Sequence, residues 1–133
     1  MEEQIIQNAI KILEDPKNPV YLKSSHRHDF VSFKFKDDKS ISLDGGHAYV
    51  RRVGDFDAPF EELVLTNKEP IEKVRADLIW GSRGKNGDEP LKYQPIKDLT
   101  LSHLKAIIKN CSNIASPHKE VIEYWIKQKS KKS

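Results

Sequence analysis

The stretch "FVSFKFKDDKSISLD", Phe30 to Asp44, decides how this chain is read. Val31, Phe33 and Phe35 alternate with Ser32, Lys34 and Lys36, and Ile41 and Leu43 stand two apart, the period of strands with one buried face. Asp37, Asp38, Lys39 and Ser40 between the two runs are turn formers, so the segment is expected to be a β-hairpin. Residues directly opposite one another share a face, and the apolar sides match when Phe35 opposes Ile41 and Phe33 opposes Leu43. That register leaves Asp37, Asp38 and Lys39 as a three-residue loop.

Working outward, the hairpin is flanked by His26, Arg27, His28 and Asp29 on one side and by Asp44, Gly45, Gly46 and His47 on the other. His26 and His28, two apart, point to one face of a strand, and with Asp29, Asp44 and His47 they make a candidate metal set. Extending the ladder sets Asp29 opposite His47 and Arg27 opposite Tyr49 on the phenylalanine face, and turns His26 and His28 the other way. This splits the set unless a bulge at the glycine pair reverses His47. Three readings stay open: histidines bonded to loop backbone around an Asp44-Gly45-Gly46 turn; a metal centre; and an anion site with forked donors from Arg27, Arg51 and Arg52. "HAYVRRVG", His47 to Gly54, reads as a third strand or a continuation of the second.

At the chain's start, Ile5, Ile6, Ala9, Ile10 and Leu13 recur at helical spacing, which predicts an amphipathic helix from about Glu2 to Glu14, ended by Pro16 and Pro19. "DFDAPFEEL", Asp55 to Leu63, reads as a loop with one helical turn. The composition turns polar around "LTNKEPIEK", Leu65 to Lys73, where a second segment begins. There "VRADLIWGSRG" carries a strand, "GKNGDEP" a turn, and "LKYQPI" a short strand that Pro95 sends to a sheet edge. Thr100 is placed to N-cap a helix with Leu101, Leu104, Ile107 and Ile108 inward. Ser116-Pro117 opens another, with Val121, Ile122, Trp125 and Ile126 inward. The fold class predicted is α+β: an N-terminal helix, a small antiparallel β-sheet and two C-terminal helices. They form one small domain over residues 1–133, divisible into a helix-plus-hairpin module (1–66) and a hairpin-plus-two-helices module (67–133).

With 133 residues, 37% hydrophobic and 32% charged, the chain has the make-up of a globular domain. A single cysteine, Cys111, excludes an internal disulfide framework and a Cys-rich zinc site, and fits a reducing compartment. No apolar run approaches the roughly 18 residues of a membrane helix, and the acidic start "MEEQ" lacks a secretory n-region, so a cytoplasmic product with no membrane partner is expected. The net charge of +3 is mild; the exception is "IKQKSKKS", a basic end read as a solvated, frayed terminus or a weak phosphate contact. No Gly-x-Ser-x-Gly elbow is present, and "GSRGKNGDEP" lacks the ending and following helix of a phosphate loop. It reads as a hairpin turn first and an Arg83/Lys85 contact loop second. No catalytic residue, metal or cofactor is assigned.

The tract "HRHDFVSFKF" followed by "SLDGGHAYVRR" resembles a family of small uncharacterised proteins of tailed bacteriophages. The likeness rests on His26, Arg27, His28, Asp29, Phe30, Asp44, Gly45, Gly46, Tyr49, Arg51 and Arg52. In that pattern cysteine pairs flank the first tract like a zinc ribbon; here Phe33 and Phe35 stand where the second pair would fall, so any ribbon metal is lost. "WGSRGKNGDEPLKYQPIKDLTLSHLKAII" is similar to a stretch in phage proteins of unknown role, and the two tracts together cover about half the chain. The resemblance implies a viral product acting in bacterial cytoplasm and brings no catalytic residue with it. The function expected is a non-enzymatic phage accessory protein that binds a host or anti-phage-defence protein. Nucleic-acid or nucleotide binding through Arg27, Arg51, Arg52, Arg83 and the lysine end, with Tyr49 or Trp80 stacking, is the alternative. A metal-dependent hydrolase on His26, His28, Asp44 and His47 is a third. Oligomeric state is not legible in the residues.

Overall fold

The computed structural model describes residues 3–84 and 87–131. The chain divides between Lys68 and Glu69 into two compact units, each mixing its elements differently. The first is all strand: β1 (Ile5–Ile12), β2 (Val20–Ser24), β3 (Val31–Lys34), β4 (Ser40–Asp44), β5 (Arg51–Gly54), β6 (Phe60–Glu62) and β7 (Leu65–Thr66). The second holds α1 (Ile71–Asp77), β8 (Ile79–Ser82), β9 (Lys92–Pro95), a 3-10 turn (Ile96–Asp98), α2 (Leu101–Asn110) and α3 (Ser116–Ser130).

The first correction is at the N-terminus, where the predicted helix is instead β1, the central strand of an antiparallel sheet; Glu2 lies outside the described residues. β2 pairs along one stretch of it, with Ile10 opposite Leu22, while β6 and β7 pair with its C-terminal and N-terminal halves. Four consecutive residues, Gln7 to Ile10, are buried, so the strand is covered on both faces. A doubly covered strand does not alternate, and a continuous apolar run satisfies helical spacing equally well. Four isoleucines in eight residues favour the extended form, since β-branched side chains pack well on a pleated surface. Burying Gln7 and Asn8 is tolerated because their amides serve backbone carbonyls: Gln7 Nε2 donates to Leu63 at 2.9 Å and Asn8 Nδ2 to Asp44 at 2.8 Å.

The hairpin forms, slipped by two residues from the predicted register. Val31 opposes Leu43 and Phe33 opposes Ile41, so the apolar faces still match, and the loop is Lys36-Asp37-Asp38. Asp38 decides this. Its φ of +70° is the left-handed position that closes a three-residue hairpin loop, which aspartate tolerates better than most residues. The turn is tied by Asp38 N–H donating to Phe35 O at 3.2 Å and Phe35 N–H to Lys39 O at 2.8 Å. β5 joins as the third strand, with Leu43 opposite Arg52 and Asp44 opposite Arg51. The two sheets enclose a core of Ile10, Ile12, Phe35, Ile41, Leu43 and Ala58, with Leu22, Val31, Phe33 and Phe60 packed against it. The Phe33 and Phe35 rings meet edge to face at 5.0 Å. "DFDAPFEEL" is a turn followed by β6 in place of a helical turn.

In the second unit β8 and β9 make a two-stranded antiparallel ladder, Trp80 opposite Gln94. Leu78, Ile79, Ile96, Leu104, Val121 and Ile122 are its fully buried side chains. Thr100 caps α2 as expected, its Oγ1 accepting from His103 N–H at 3.2 Å. The helix α1 went unpredicted because only Val74 of its seven residues is buried, which leaves no apolar stripe to read. α3 runs to Ser130, so the basic segment is helical as far as that residue. Lys129 donates to the carbonyls of Lys97, at 2.7 Å, and Leu99. Lys132 lies outside the described residues. Among those residues no helix is long and apolar enough to cross a membrane.

Candidate functional site

The ladder of β3 and β4 ends at Val31 and Leu43, and the expected extension pairing Asp29 with His47 and Arg27 with Tyr49 does not form. Both flanks turn instead. On one side Asp29 N–H donates to His26 O at 2.9 Å with His28 at φ +68°; on the other Gly45 O accepts from Ala48 at 2.8 Å and Tyr49 at 3.2 Å. Ser24 joins the two turns: its Oγ donates to Asp29 O at 2.7 Å and accepts from Gly46 N–H at 3.0 Å. Asn8, from β1, reaches the same place and bonds the carbonyls of Asp44 and, at 3.3 Å, Tyr49.

Most residues singled out in the sequence are therefore distributed around this knot. Asp29 Oδ2 accepts from Ser25 N–H at 2.8 Å. His26, exposed, donates from Nδ1 to the Arg27 carbonyl at 3.2 Å, and His47, exposed, from Nδ1 to the Ile5 carbonyl at 2.9 Å. Arg27 and His28 are exposed on their turn, and Tyr49 is half-buried. The imidazoles of His26 and His47 are thus held by separate backbone carbonyls, and among the described residues no three His, Cys, Asp or Glu side chains gather in a way that could hold a metal ion. Asp44 is 8% exposed, and its Oδ1 has no hydrogen-bond partner among the described residues. Arg83 is exposed just after β8, in the other unit, and Lys85 lies outside the described residues.

The arginine pair separates by strand parity. Arg51 projects to solvent on the outer face of its sheet, whereas Arg52 shares the inner face with Leu43 and makes an ion pair with Glu62 of β6. Around them large apolar side chains are exposed alongside the acids Asp55, Asp57, Glu61 and Glu62. Val50 and Val53 are exposed, and Phe56 is 61% exposed in the loop joining β5 to β6. Val50, Arg52, Phe56, Phe60 and Glu62 line a cleft of about 450 Å³. Behind Phe56 the loop is anchored by Asp57 Oδ2 accepting from Lys39 Nζ at 2.8 Å. Lys39 holds the Asp57 carboxyl below its ordinary range and is itself raised by Asp57.

Sequence reasoning missed Asn8 and Ser24 as the ties of the knot and the valines and Phe56 as surface. One signal was present: a phenylalanine between two aspartates in "DFD" has no strand or helix face on which to be buried. No family model matches the chain, and neither the curated proteins nor the solved structures compared with it give a match.

Proposed function

We propose that this chain is a non-enzymatic binding protein that docks another protein through β5 and the loop that follows it. The observation carrying this reading is the exposure of Val50 and Phe56 at the cleft that Arg52 lines, with Val53 exposed on the Arg51 face of the same strand. Large side chains left in water beside a guanidinium are the make-up of protein-docking patches, where apolar area supplies affinity and charge supplies orientation. Together with the bacteriophage resemblance, this supports a host or anti-phage-defence component of the bacterial cytoplasm as the partner. The test is capture from bacterial lysate by the whole chain. One stoichiometric protein is expected, and it is lost with Phe56→Asp and with Arg51→Glu, two exposed positions whose replacement leaves the core intact. Capture indifferent to both variants refutes the reading. Exposed Arg27 and Arg51 give the nucleic-acid alternative its footing. Binding to DNA or RNA that weakens steeply with salt would put it in first place.

A further inference from the structure

In the second unit the parity of the β8/β9 ladder sorts side chains onto two faces. Residues directly opposite one another share a face, so Ile79 with Pro95 and Gly81 with Tyr93 stand on one, and Trp80 with Gln94 and Ser82 with Lys92 on the other. Ile79 and Pro95 are buried, which turns the first face to the core. The second face is covered only in part. The Trp80 and His118 rings meet edge to face with centroids 6.0 Å apart, and all four residues of this face line a cleft of about 490 Å³ together with Leu91, Leu99 and His103. Thr100 sets His103 there, because its Oγ1 accepts the His103 N–H at 3.2 Å and fixes the first turn of α2. Trp80, Gln94 and His103 are half-buried, and among the described residues the indole N–H, the amide and the imidazole have no hydrogen-bond partner. Half-buried polar groups that bond nothing in the protein add little to the fold. Beside an indole and two leucines, they are the few orienting groups of a small-molecule pocket with mostly apolar walls.

We infer that this cleft binds the adenine base of a free nucleoside, with Trp80 as the stacking surface and Gln94 as the group that reads the base edge. The site shares no residue with the docking surface of the first unit. An indole in a half-open cleft selects a planar ring, since every base has a face on which to stack. Gln94 selects which ring. Its carboxamide sets one donor beside one acceptor, the complement of the N7 acceptor and N6 amino donor of adenine. Guanine and hypoxanthine carry an acceptor at the six-position, which sets the glutamine carbonyl against another carbonyl. Gln94 stands directly across the ladder from Trp80 on the same face, so stacking and edge reading come from adjacent side chains. His103 adds a hydrogen-bonding group from α2. Charge does not select this ligand: Glu89 and Lys92, both exposed, bring one charge of each sign to the cleft. An uncharged nucleoside is therefore favoured over a nucleotide or a strand, whose phosphates call for a cationic rim.

The test titrates the isotope-labelled full chain with adenosine, inosine, 7-deazaadenosine and a tetra-adenylate strand, following the Trp80 indole N–H and the Gln94 side-chain amide by nuclear magnetic resonance. Adenosine should shift both signals. Inosine, with an acceptor in place of the N6 donor, and 7-deazaadenosine, without the N7 acceptor, should bind roughly tenfold more weakly or worse. Trp80→Leu should weaken adenosine by roughly tenfold or more. Gln94→Lys, whose ammonium donates to both O6 and N7, should reverse the order and favour inosine over adenosine. The Trp125 indole, donating to the Arg75 carbonyl at 2.9 Å, should stay in place throughout and is the control for folding. Where a variant displaces it, the unmodified chain and its four ligands decide alone. Trp80 and Gln94 signals unmoved by millimolar adenosine overturn the site. Adenosine, inosine and 7-deazaadenosine bound alike overturn the reading of the base by Gln94. Tetra-adenylate bound tighter than adenosine by roughly tenfold or more, with a steep loss in salt, overturns the free nucleoside in favour of single-stranded nucleic acid.

Discussion

A β-carbon on Gly46 would lie 2.4 Å from the backbone of His26, at a φ of +50° that already favours glycine. Gly46 is thus the contact point between the two turns that Ser24 joins, and the Gly-Gly pair serves close backbone approach. Gly46→Ala is expected to lower unfolding stability by about 2–4 kcal/mol, combining left-handed strain with displacement of the His26 turn, as read by urea denaturation. Gly87→Ala, at φ +72° with nothing within 4 Å, should cost only about 1 kcal/mol. Beside this contact His26 and His47 are each held to a backbone carbonyl, which is the turn chemistry their sequence left open alongside metal and anion binding.

At the scale of the element, a single loop residue sets the register of the central hairpin. Alternation along Val31–Phe35 and Ile41–Leu43 fixes which face is buried, but any slip by two residues preserves that face, so the pattern cannot choose among such registers. Turn geometry chooses, by placing Asp38 in the left-handed region. Asp38→Gly should therefore raise stability by roughly 0.5–1 kcal/mol and leave the register intact, checked by thermal unfolding and by the amide protection of Phe35. The exposed Lys34–Asp38 ion pair lost in this variant offsets little. The neighbouring loop depends on pH through Asp57 and Lys39. A carboxyl held low in the fold stabilises above its ordinary value of 3.8 and loses that contribution as pH falls through the lowered folded value. An amine held high stabilises below 10.5 and loses it only as pH rises through the raised value. The loop's anchoring should consequently be flat across neutral pH and loosen in acid, seen as faster exchange of the Ala58 amide with no change in the core.

For the molecule as a whole, the core of the first unit is drawn from strands far apart in sequence. Ile10 and Ile12 come from β1, Ile41 and Leu43 from β4, and Phe35 and Ala58 from loops. Ile41, fully buried at the centre, should cost about 2–5 kcal/mol when replaced by alanine, because the surrounding strands cannot close the cavity. Chemical denaturation followed by the exchange of β3 and β4 amides checks it. The same enclosure explains where Phe56 lies: β5 and β6 follow one another in the chain yet belong to different sheets, and the short connection between them carries it outward.

What the sequence by itself determined is local. The period-two run of Phe30–Asp44, the cap at Thr100, the helix opening at Ser116-Pro117 and the edge strand at Pro95 are each settled by a few neighbouring side chains, and each is found where it was read, except that the hairpin's register is slipped by two residues. Tertiary structure decided the rest. It decided that Ile5–Ile12 is a strand, since only burial on both faces distinguishes a central strand from a helix of the same spacing. It decided that Arg52 turns to Glu62 while Arg51 meets water, and that residues of β5 and β6 line one cleft. Those outcomes depend on which remote segments share a face, and residue spacing along the chain carries no record of that.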